Sequence, residues 1–128
     1  MSDIVITLPA KLWQKIVSGE KGVEVRKCLP KHIVPENSRV FVIEKGTTRV
    51  VGWFRYMGFA KSWYPDIMWE KYGDSIGVTR DWFMKYVEGK LPFYLWKIGE
   101  VHCYKYDYID LRLLGVRKNP QCFAYVNI

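Results

Sequence analysis

The spacing of apolar positions changes along the chain and predicts both strands and helices. Ile4–Leu8 is a short apolar run that predicts a first strand. Pro9–Ser18 carries apolar residues at helical spacing, with proline in the first turn, where a missing N–H does no harm. Gly19 follows at the position that ends a helix, where a residue in the left-handed conformation is favoured. The first twenty residues therefore predict a strand followed directly by a short helix.

The same periodicities predict the remaining elements. Alternating or extended runs predict strands at Val23–Arg26, Arg39–Glu44, Arg49–Tyr56, Pro92–Ile98, Glu100–Ile109 and Gln121–Val126. Between Ala60 and Gly89 the spacing of apolar residues lengthens to about 3.6 and predicts two helices. Thr79 is the predicted cap of the second helix, and Trp82 and Tyr86 are interpreted as its buried face. Gly52 and Gly58 predict a bulge or bend. Gly99 is expected to break the extended region around it, where Tyr104, Tyr106 and Tyr108 share one strand face.

About six strands and about three short helices without a regular strand–helix alternation predict an α+β fold. The sheet is expected to be a mixed, mostly antiparallel small β-barrel. At 128 residues, without a break in composition, the chain is expected to form one domain over residues 1–128.

The stretch from Ser18 to Lys27 has the pattern of a site. Period-two alternation places Val23 and Val25 on a core face and Glu24 and Arg26 on the opposite face, which is expected to be open to solvent. Lys21 precedes them in the turn. A substitution of Lys21 or Arg26 by alanine is accordingly predicted to change stability by no more than about 1 kcal/mol.

Charge and aromatic content point to an anionic partner. The formal net charge is +7, and aromatic residues make up 16% of the chain. A basic excess favours nucleic acid as partner, and some of the 6 Trp and 9 Tyr are expected to line a groove. RNA or a nucleotide is the expected ligand; the sequence identifies no protein partner.

Other classes of protein are not expected. The chain shows neither a signal peptide nor a bilayer-spanning apolar run, so a cytoplasmic protein without membrane contact is predicted. Cys28, Cys103 and Cys122 are widely spaced and are expected to be reduced thiols. His32 and His102 are too few and too scattered for a zinc site, so neither a metal nor a cofactor is predicted.

Three segments carry a resemblance to a known family. The pattern Gly19-x-Lys21-x-x-Glu24-x-Arg26 follows the first helix, and the segments Val78–Tyr86 and Asn119–Phe123 lie further on. Together they resemble the ASCH domain, a member of the PUA-like superfamily, and they span nearly the whole chain. The resemblance implies a PUA-like barrel with a cleft between barrel and helices, faced by the charged residues of the first segment.

The resemblance and the charge support a binding function first. Phosphate contacts would come from lysine and arginine, a base edge would meet Glu24, and an exposed aromatic ring would stack on a base. The predicted nucleic-acid-binding residues are Gly19, Lys21, Glu24, Arg26, Lys27, Trp53, Trp63 and Tyr64.

The alternative function is RNA processing by hydrolysis. Some ASCH proteins deacetylate N4-acetylcytidine, and the resemblance implies a lysine, a threonine and a glutamate as their catalytic set. Lys21 matches the lysine, Asp74 falls near the acidic position, and Glu24 stands at the place of the threonine. A carboxylate does not replace a hydroxyl nucleophile, since acyl transfer to it would give a labile anhydride. The second form of this hydrolase hypothesis is RNA cleavage by Lys21 and Glu24. A further interpretation gives these residues no chemical role, with Glu24 and Arg26 forming an ion pair that only shapes the cleft.

Overall fold

The computed structural model describes residues 3–27, 35–105, 108–120 and 123–126. The elements in chain order are β1 (Ile4–Leu8), α1 (Ala10–Ser18), β2 (Val23–Arg26), β3 (Arg39–Glu44), β4 (Arg49–Ser62), α2 (Pro65–Ile76), α3 (Arg80–Val87), β5 (Phe93–Cys103), β6 (Ile109–Asp110), a 3₁₀ helix (Leu111–Leu114) and β7 (Ala124–Tyr125).

The strands form one mixed sheet in the order β2-β5-β4-β3-β1-β7, with β6 paired to β4. β1 runs parallel to β3, and the other described pairs are antiparallel. The two ends of this order, β2 and β7, do not pair with each other in the described part of the chain, and the sheet curls into a half-barrel. The predicted α+β class and the mixed, mostly antiparallel barrel-like sheet with three α-helices are confirmed.

The curled sheet is covered on both faces, which explains its apolar central strands. Inside the curl, α1 packs Trp13 and Ile16 against the sheet. On the outer face, the 3₁₀ helix covers the β1–β3–β4 region through Leu111 and Leu114. The other end of that face, at β2 and β5, is covered by α2 and α3.

The local signals at the helix ends act as predicted. Gly19 has φ 86°, and its backbone N–H donates to the Ile16 carbonyl, which ends α1. The Thr79 hydroxyl accepts from the backbone N–H of Trp82 at 3.2 Å and caps α3. β2 then begins one short turn after α1, because the N–H of Lys21 donates to the Lys15 carbonyl at 3.0 Å.

Two boundaries differ from the sequence prediction. β5 runs through Gly99 as one strand, and the predicted break is instead a shift of register against β4, between the pairs Phe54–Val101 and Tyr56–Ile98. A Cβ at Gly99 would lie 2.7 Å from the Met57 side chain, so glycine leaves room for that side chain. β4 continues to Ser62, with register shifts between Phe54 and Phe59 in the region where Gly58 predicted a bulge.

The predicted tyrosine face is also wrong for the residues that can be described. Tyr104 and Tyr108 lie outside the strands, and Tyr106 falls outside the described residues. The predicted last strand, Gln121–Val126, is reduced to Ala124–Tyr125 within the described residues. Among the described helices, none is both long and apolar enough to cross a membrane.

Candidate functional site

A cavity of about 470 Å³ lies where the half-barrel stays open. One side is formed by β2, at one end of the sheet, and the other by the last residues of β1 and by Asn119 and Pro120, at the opposite end. The start of α1 and one face of α3 complete the walls. Its volume falls in the range of small-molecule sites, roughly 300–1,000 Å³.

One wall carries three charged side chains that contact one another. Lys21 Nζ lies 3.1 Å from Glu24 Oε1, and Arg26 Nη1 donates to Glu24 Oε2 at 3.2 Å. The Arg26 guanidinium also lies 5.7 Å from the ring centre of Trp96. Glu24 therefore holds one cation with each carboxylate oxygen, and the three side chains are called the charged triad below.

The charged triad is buried, which contradicts the expectation of a solvent-facing strand face. Exposed fractions are 3% for Lys21, 4% for Glu24 and 8% for Arg26. The two faces of β2 do alternate as predicted, but Val23 and Val25 pack toward α2 and α3 while Glu24 and Arg26 lie inside the curl of the sheet. A short strand at the end of a curled sheet therefore buries both faces, and the prediction that these are surface substitutions is wrong.

Lys21 also ties β2 to the end of α2. Its Nζ donates to the Ile76 carbonyl at 2.7 Å, and Lys15 Nζ donates to the Gly77 carbonyl at 2.8 Å. Carbonyls at a helix C-terminus lack intrahelical partners and favour positive charge. The aliphatic part of Lys21 passes so close to Gly77 that a Cβ there would lie 3.1 Å from Lys21 Cβ. Lys21 is thus placed by the structure before any ligand binds.

A second wall of the cavity is aromatic. Trp82 and Tyr86, one helical turn apart on α3, stack with ring centres 4.9 Å apart and planes 12° apart. Trp82 is 46% exposed. Lys27 Nζ lies 4.3 Å from the ring centre of Tyr86. The cavity thus offers a flat apolar surface, with a cation over one of its rings.

The electrostatics follow from these positions. Burial raises the pKa of Tyr86; the nearby Arg26 opposes this and Glu24 adds to it. The pKa of Lys27 is lowered, first through its contact with Lys90 and then through desolvation. Two lysines crowded beside the aromatic wall indicate a positive potential there.

The structure brings together some of the predicted site residues. Lys21, Glu24 and Arg26 line the cavity as a group. Gly19 and Lys27 do not line the cavity: Gly19 ends α1, and Lys27 lies over Tyr86, which does line it.

The other predicted residues lie elsewhere. Trp53 stacks on His102 with ring centres 4.1 Å apart and lies beneath the Arg55 guanidinium at 4.7 Å. Trp63 and Tyr64 are exposed at the end of β4, at 54% and 62%. Asp74 is exposed on α2 and does not line the cavity that holds Lys21 and Glu24.

Four residues that line the cavity were given no role in the site by the sequence: Trp82, Tyr86, Lys45 and Asn119. The interpretation of Trp82 and Tyr86 as the buried face of α3 is wrong, because the buried residues of that helix are Phe83 and Val87 and Trp82 is 46% exposed. A signal for the first two existed. Phe83 and Val87 already supply the core face of α3, so Trp82 and Tyr86, each one position earlier, lie about 100° round the helix. Lys45 gave no such signal, whereas Asn119 is the first residue of the third segment that resembles the ASCH domain.

The described residues contain no group of three or more His, Cys, Asp or Glu side chains placed to hold a metal ion. Cys103 is an exposed thiol, while Cys28 and Cys122 fall outside the described residues.

Comparisons with known proteins identify the fold. No protein-family model matches the chain, and no curated protein matches it. Among solved structures, the ASCH protein of Zymomonas mobilis superposes with a TM-score of 0.83 at 20% identity, covering 98% of this chain and 87% of that one. A single-residue variant of it gives 0.84 at 20% identity, covering 99% and 91%. The hypothetical protein PH0355 gives 0.56 at 16% identity, covering 73% and 94%. The chain therefore has the fold of the ASCH domain proteins.

Proposed function

We propose that this protein binds RNA or a nucleotide in the cavity between the charged triad and the stacked pair Trp82–Tyr86. The observation that carries the proposal is the combination of two walls in one cavity. One wall presents two cations against one carboxylate, and the other presents aromatic rings.

The charged wall favours an anionic or carbonyl-rich ligand. Two cations and one carboxylate leave a formal charge of +1 on the triad, and Lys45 adds another positive charge to the lining. The three side chains of the triad are buried, and charge–charge interactions are stronger there than in water. Because Glu24 and the Ile76 carbonyl already hold Lys21, the wall is ordered in advance, which lowers the cost of binding.

The aromatic wall favours a flat ring. Stacking of a base on an aromatic side chain contributes about 1–3 kcal/mol and does not depend on base identity. The half-exposed Trp82 is the ring best placed to receive a base entering from solvent. RNA and nucleotides combine a flat base with negative phosphate, which matches both walls.

The test is a titration of fluorescently labelled single-stranded RNA at low salt, with four variants. Trp82→Ala and Lys45→Ala remove parts of the cavity walls. Tyr108→Ala is the control for the first, because Trp82 and Tyr108 are both 46% exposed and Tyr108 does not line the cavity. Lys71→Ala, at an exposed lysine of α2, is the control for the second.

We expect Trp82→Ala to weaken binding by about tenfold or more and Lys45→Ala to reduce its salt dependence, while the controls bind like the wild type. Absence of binding by the wild type to RNA and to free nucleotides at low salt would sink the proposal. Equal loss in Trp82→Ala and Tyr108→Ala would place the ligand outside the cavity.

Hydrolysis of RNA or of a modified nucleoside is the second candidate, and the Lys21–Glu24 contact in the cavity wall favours it. Glu24 already binds two cations and Lys21 already donates to a carbonyl, so either group would have to give up a partner to move a proton. Incubation with total cellular RNA and with N4-acetylcytidine tests this candidate. Product formation by the wild type that disappears in a folded Lys21→Met variant would establish it, and intact substrates would exclude both reactions.

A further inference from the structure

Three large apolar side chains are exposed where β4 ends and α2 begins. Trp63 is 54% exposed, Tyr64 62% and Ile67 54%. Tyr64 is the residue that precedes α2, and its carbonyl accepts from the backbone N–H of Met68 at 3.2 Å, so all three side chains lie at the start of that helix. Large apolar side chains grouped at a surface mark interaction sites. Trp63, Tyr64 and Ile67 are called the apolar patch below.

The apolar patch is separate from the cavity. None of these three described residues lines it. α2 reaches the cavity at its other end, where Ile76 lines the wall and its carbonyl accepts from Lys21 Nζ. At 1.5 Å per residue, Ile67 and Ile76 are separated by roughly 13 Å along the helix axis. A ligand in the cavity therefore leaves the apolar patch open.

The exposed side of α2 next to the apolar patch is acidic. Asp66, Glu70 and Asp74 follow one another at intervals of four residues and are all exposed, so they form one stripe along the helix. Within the part of the chain that the structure describes, none of these three carboxylates forms an ion pair. The three residues are called the acidic edge below, and their charges are available to a partner.

The charge of α2 is opposite to that of the chain. Three carboxylates and Lys71 give the helix a formal charge of −2, whereas the whole chain carries +7. Lys61, whose Nζ lies 6.0 Å from the ring centre of Trp63, adds one positive charge beside the patch and leaves the carboxylates in excess. The acidic edge would repel a nucleic acid or an anionic membrane and attract a cationic partner.

We propose that the apolar patch and the acidic edge together dock a basic amphipathic segment of another protein. The apolar side chains of the segment would lie on Trp63 and Ile67, and its lysines or arginines would pair with the acidic edge. Amphipathic helices bind in this way, through apolar residues at helical spacing. Aromatic rings are frequent anchors at the centre of protein interfaces, and charged groups lie at the rim. The surface is distinct from the cavity, so both can be occupied at once.

The experiment titrates the full chain against a fluorescently labelled synthetic peptide of lysine and leucine, with the leucines at helical spacing. A peptide of glutamate and leucine with the same spacing is the probe of opposite charge. Trp63→Ala and Ile67→Ala alter the apolar patch. Trp82→Ala is the control, because Trp82 is also a half-exposed tryptophan, at 46%, and lies outside the patch.

A triple variant, Asp66→Asn with Glu70→Gln and Asp74→Asn, removes the charges of the acidic edge. Its control removes three exposed carboxylates elsewhere, in Glu20→Gln with Asp81→Asn and Glu88→Gln. The two sets are matched, because each includes an aspartate in the first turn of a helix. All the altered side chains are exposed, so the variants are expected to remain folded.

We expect the wild type to bind the lysine–leucine peptide and not the glutamate–leucine peptide. Trp63→Ala should weaken peptide binding about tenfold, and Trp82→Ala should leave it within about twofold. The triple variant of the acidic edge should weaken binding and remove most of its salt dependence, while the control triple variant binds like the wild type. Single-stranded RNA is titrated separately, because it would bind the peptide directly. RNA affinity should be unchanged in Trp63→Ala.

Several outcomes would overturn this inference. One is that the wild type binds neither peptide or binds both equally, and another is that Trp63→Ala and Trp82→Ala bind the peptide alike. Loss of RNA binding in Trp63→Ala would assign the apolar patch to RNA. A wild-type dimer in analytical ultracentrifugation that Ile67→Glu converts to a monomer would assign the patch to a second copy of the chain.

Discussion

Replacement of Glu24 by glutamine tests whether the charged triad depends on its central carboxylate. The carboxylate forms an ion pair with Lys21 through one oxygen and accepts a hydrogen bond from Arg26 on the other. Glutamine keeps the size of the side chain but offers one accepting oxygen and one donating amide group. Either Lys21 or Arg26 would therefore face the amide N–H group of the glutamine, which is a donor, and would lose its partner in a buried position.

The expected cost is large because all three side chains of the triad are buried. Removing one member of a buried ion pair typically costs about 3–5 kcal/mol, since it leaves an uncompensated buried charge. An unfolding entropy of about 2.1 cal/mol/K per residue corresponds to roughly 0.27 kcal/mol/K for a chain of this length, so the melting temperature should fall by roughly 10–20 °C. By the same reasoning Lys21→Ala and Arg26→Ala should cost well above the 1 kcal/mol expected of surface positions.

The assay is urea and thermal unfolding followed by circular dichroism at neutral pH, in low and in high salt. Glu100→Gln is the matched control, because the Glu100 carboxylate also contacts two side chains, Arg55 and His102, but is exposed. An exposed pair contributes little and is screened by salt, so Glu100→Gln should leave the midpoint nearly unchanged. The loss in Glu24→Gln should persist at high salt.

Two results would refute this reasoning. A loss below about 1 kcal/mol in Glu24→Gln would mean that water reaches the triad and screens it. Additive effects of Glu24→Gln and Arg26→Met in the double variant would mean that the two side chains do not interact, whereas contacting charges should show a coupling of about 0.5–3 kcal/mol.

Three further predictions concern the scaffold. Gly52→Ala should destabilise the fold by about 3 kcal/mol, because the added Cβ would clash with the His102 carbonyl oxygen and lie 2.5 Å from Trp13 Cζ2. The control Gly46→Ala places its Cβ where no atom lies within 4 Å and should cost only about 1 kcal/mol, for the positive φ of that residue. Equal urea midpoints for the two variants would contradict this prediction. Thr79→Ala should cost about 1 kcal/mol through loss of the α3 cap, measured by urea unfolding against Thr79→Ser, which keeps the hydroxyl. Hydrogen bonds from the Arg112 side chain and backbone lower the pKa of Asp110 to about 2, so its contribution to stability is present above the unfolded pKa near 4 and is lost as pH falls through about 2. Unfolding of Asp110→Asn should therefore show a weaker pH dependence between pH 4 and pH 2 than the wild type, and identical pH profiles would contradict the shift.

The helices, most strands and the bulge were predictable because their signals are local. The Gly19 cap, the Thr79 cap and the period-two run of β2 depend on backbone dihedrals and hydrogen bonds within a few residues. The break predicted at Gly99 is wrong because β5 pairs with β4 on both sides of that glycine, through a shift of register, and no local pattern records the neighbouring strand.

The candidate site was predictable in its residue types and only partly in its geometry. The sequence singled out Lys21, Glu24 and Arg26, and these three do contact one another in the cavity wall. The resemblance to the ASCH domain also grouped Asp74 with these three residues, because Asp74 falls near the acidic position of the implied catalytic set. The structure leaves Asp74 on an exposed part of α2, because α2 meets Lys21 through its C-terminal carbonyl and not through that side chain.

The sequence by itself determined the local elements, the division of β2 into an apolar and a charged face, and the basic character of the chain. Only the tertiary structure decided that the charged face is buried, because alternation distinguishes two faces without telling which of them meets solvent. It also decided that Trp82 and Tyr86 line the same cavity as the triad and that β4 changes register against β5 between Tyr56 and Phe59. Those placements depend on how the sheet curls and which strands become neighbours, and this is set by packing between residues far apart in the chain.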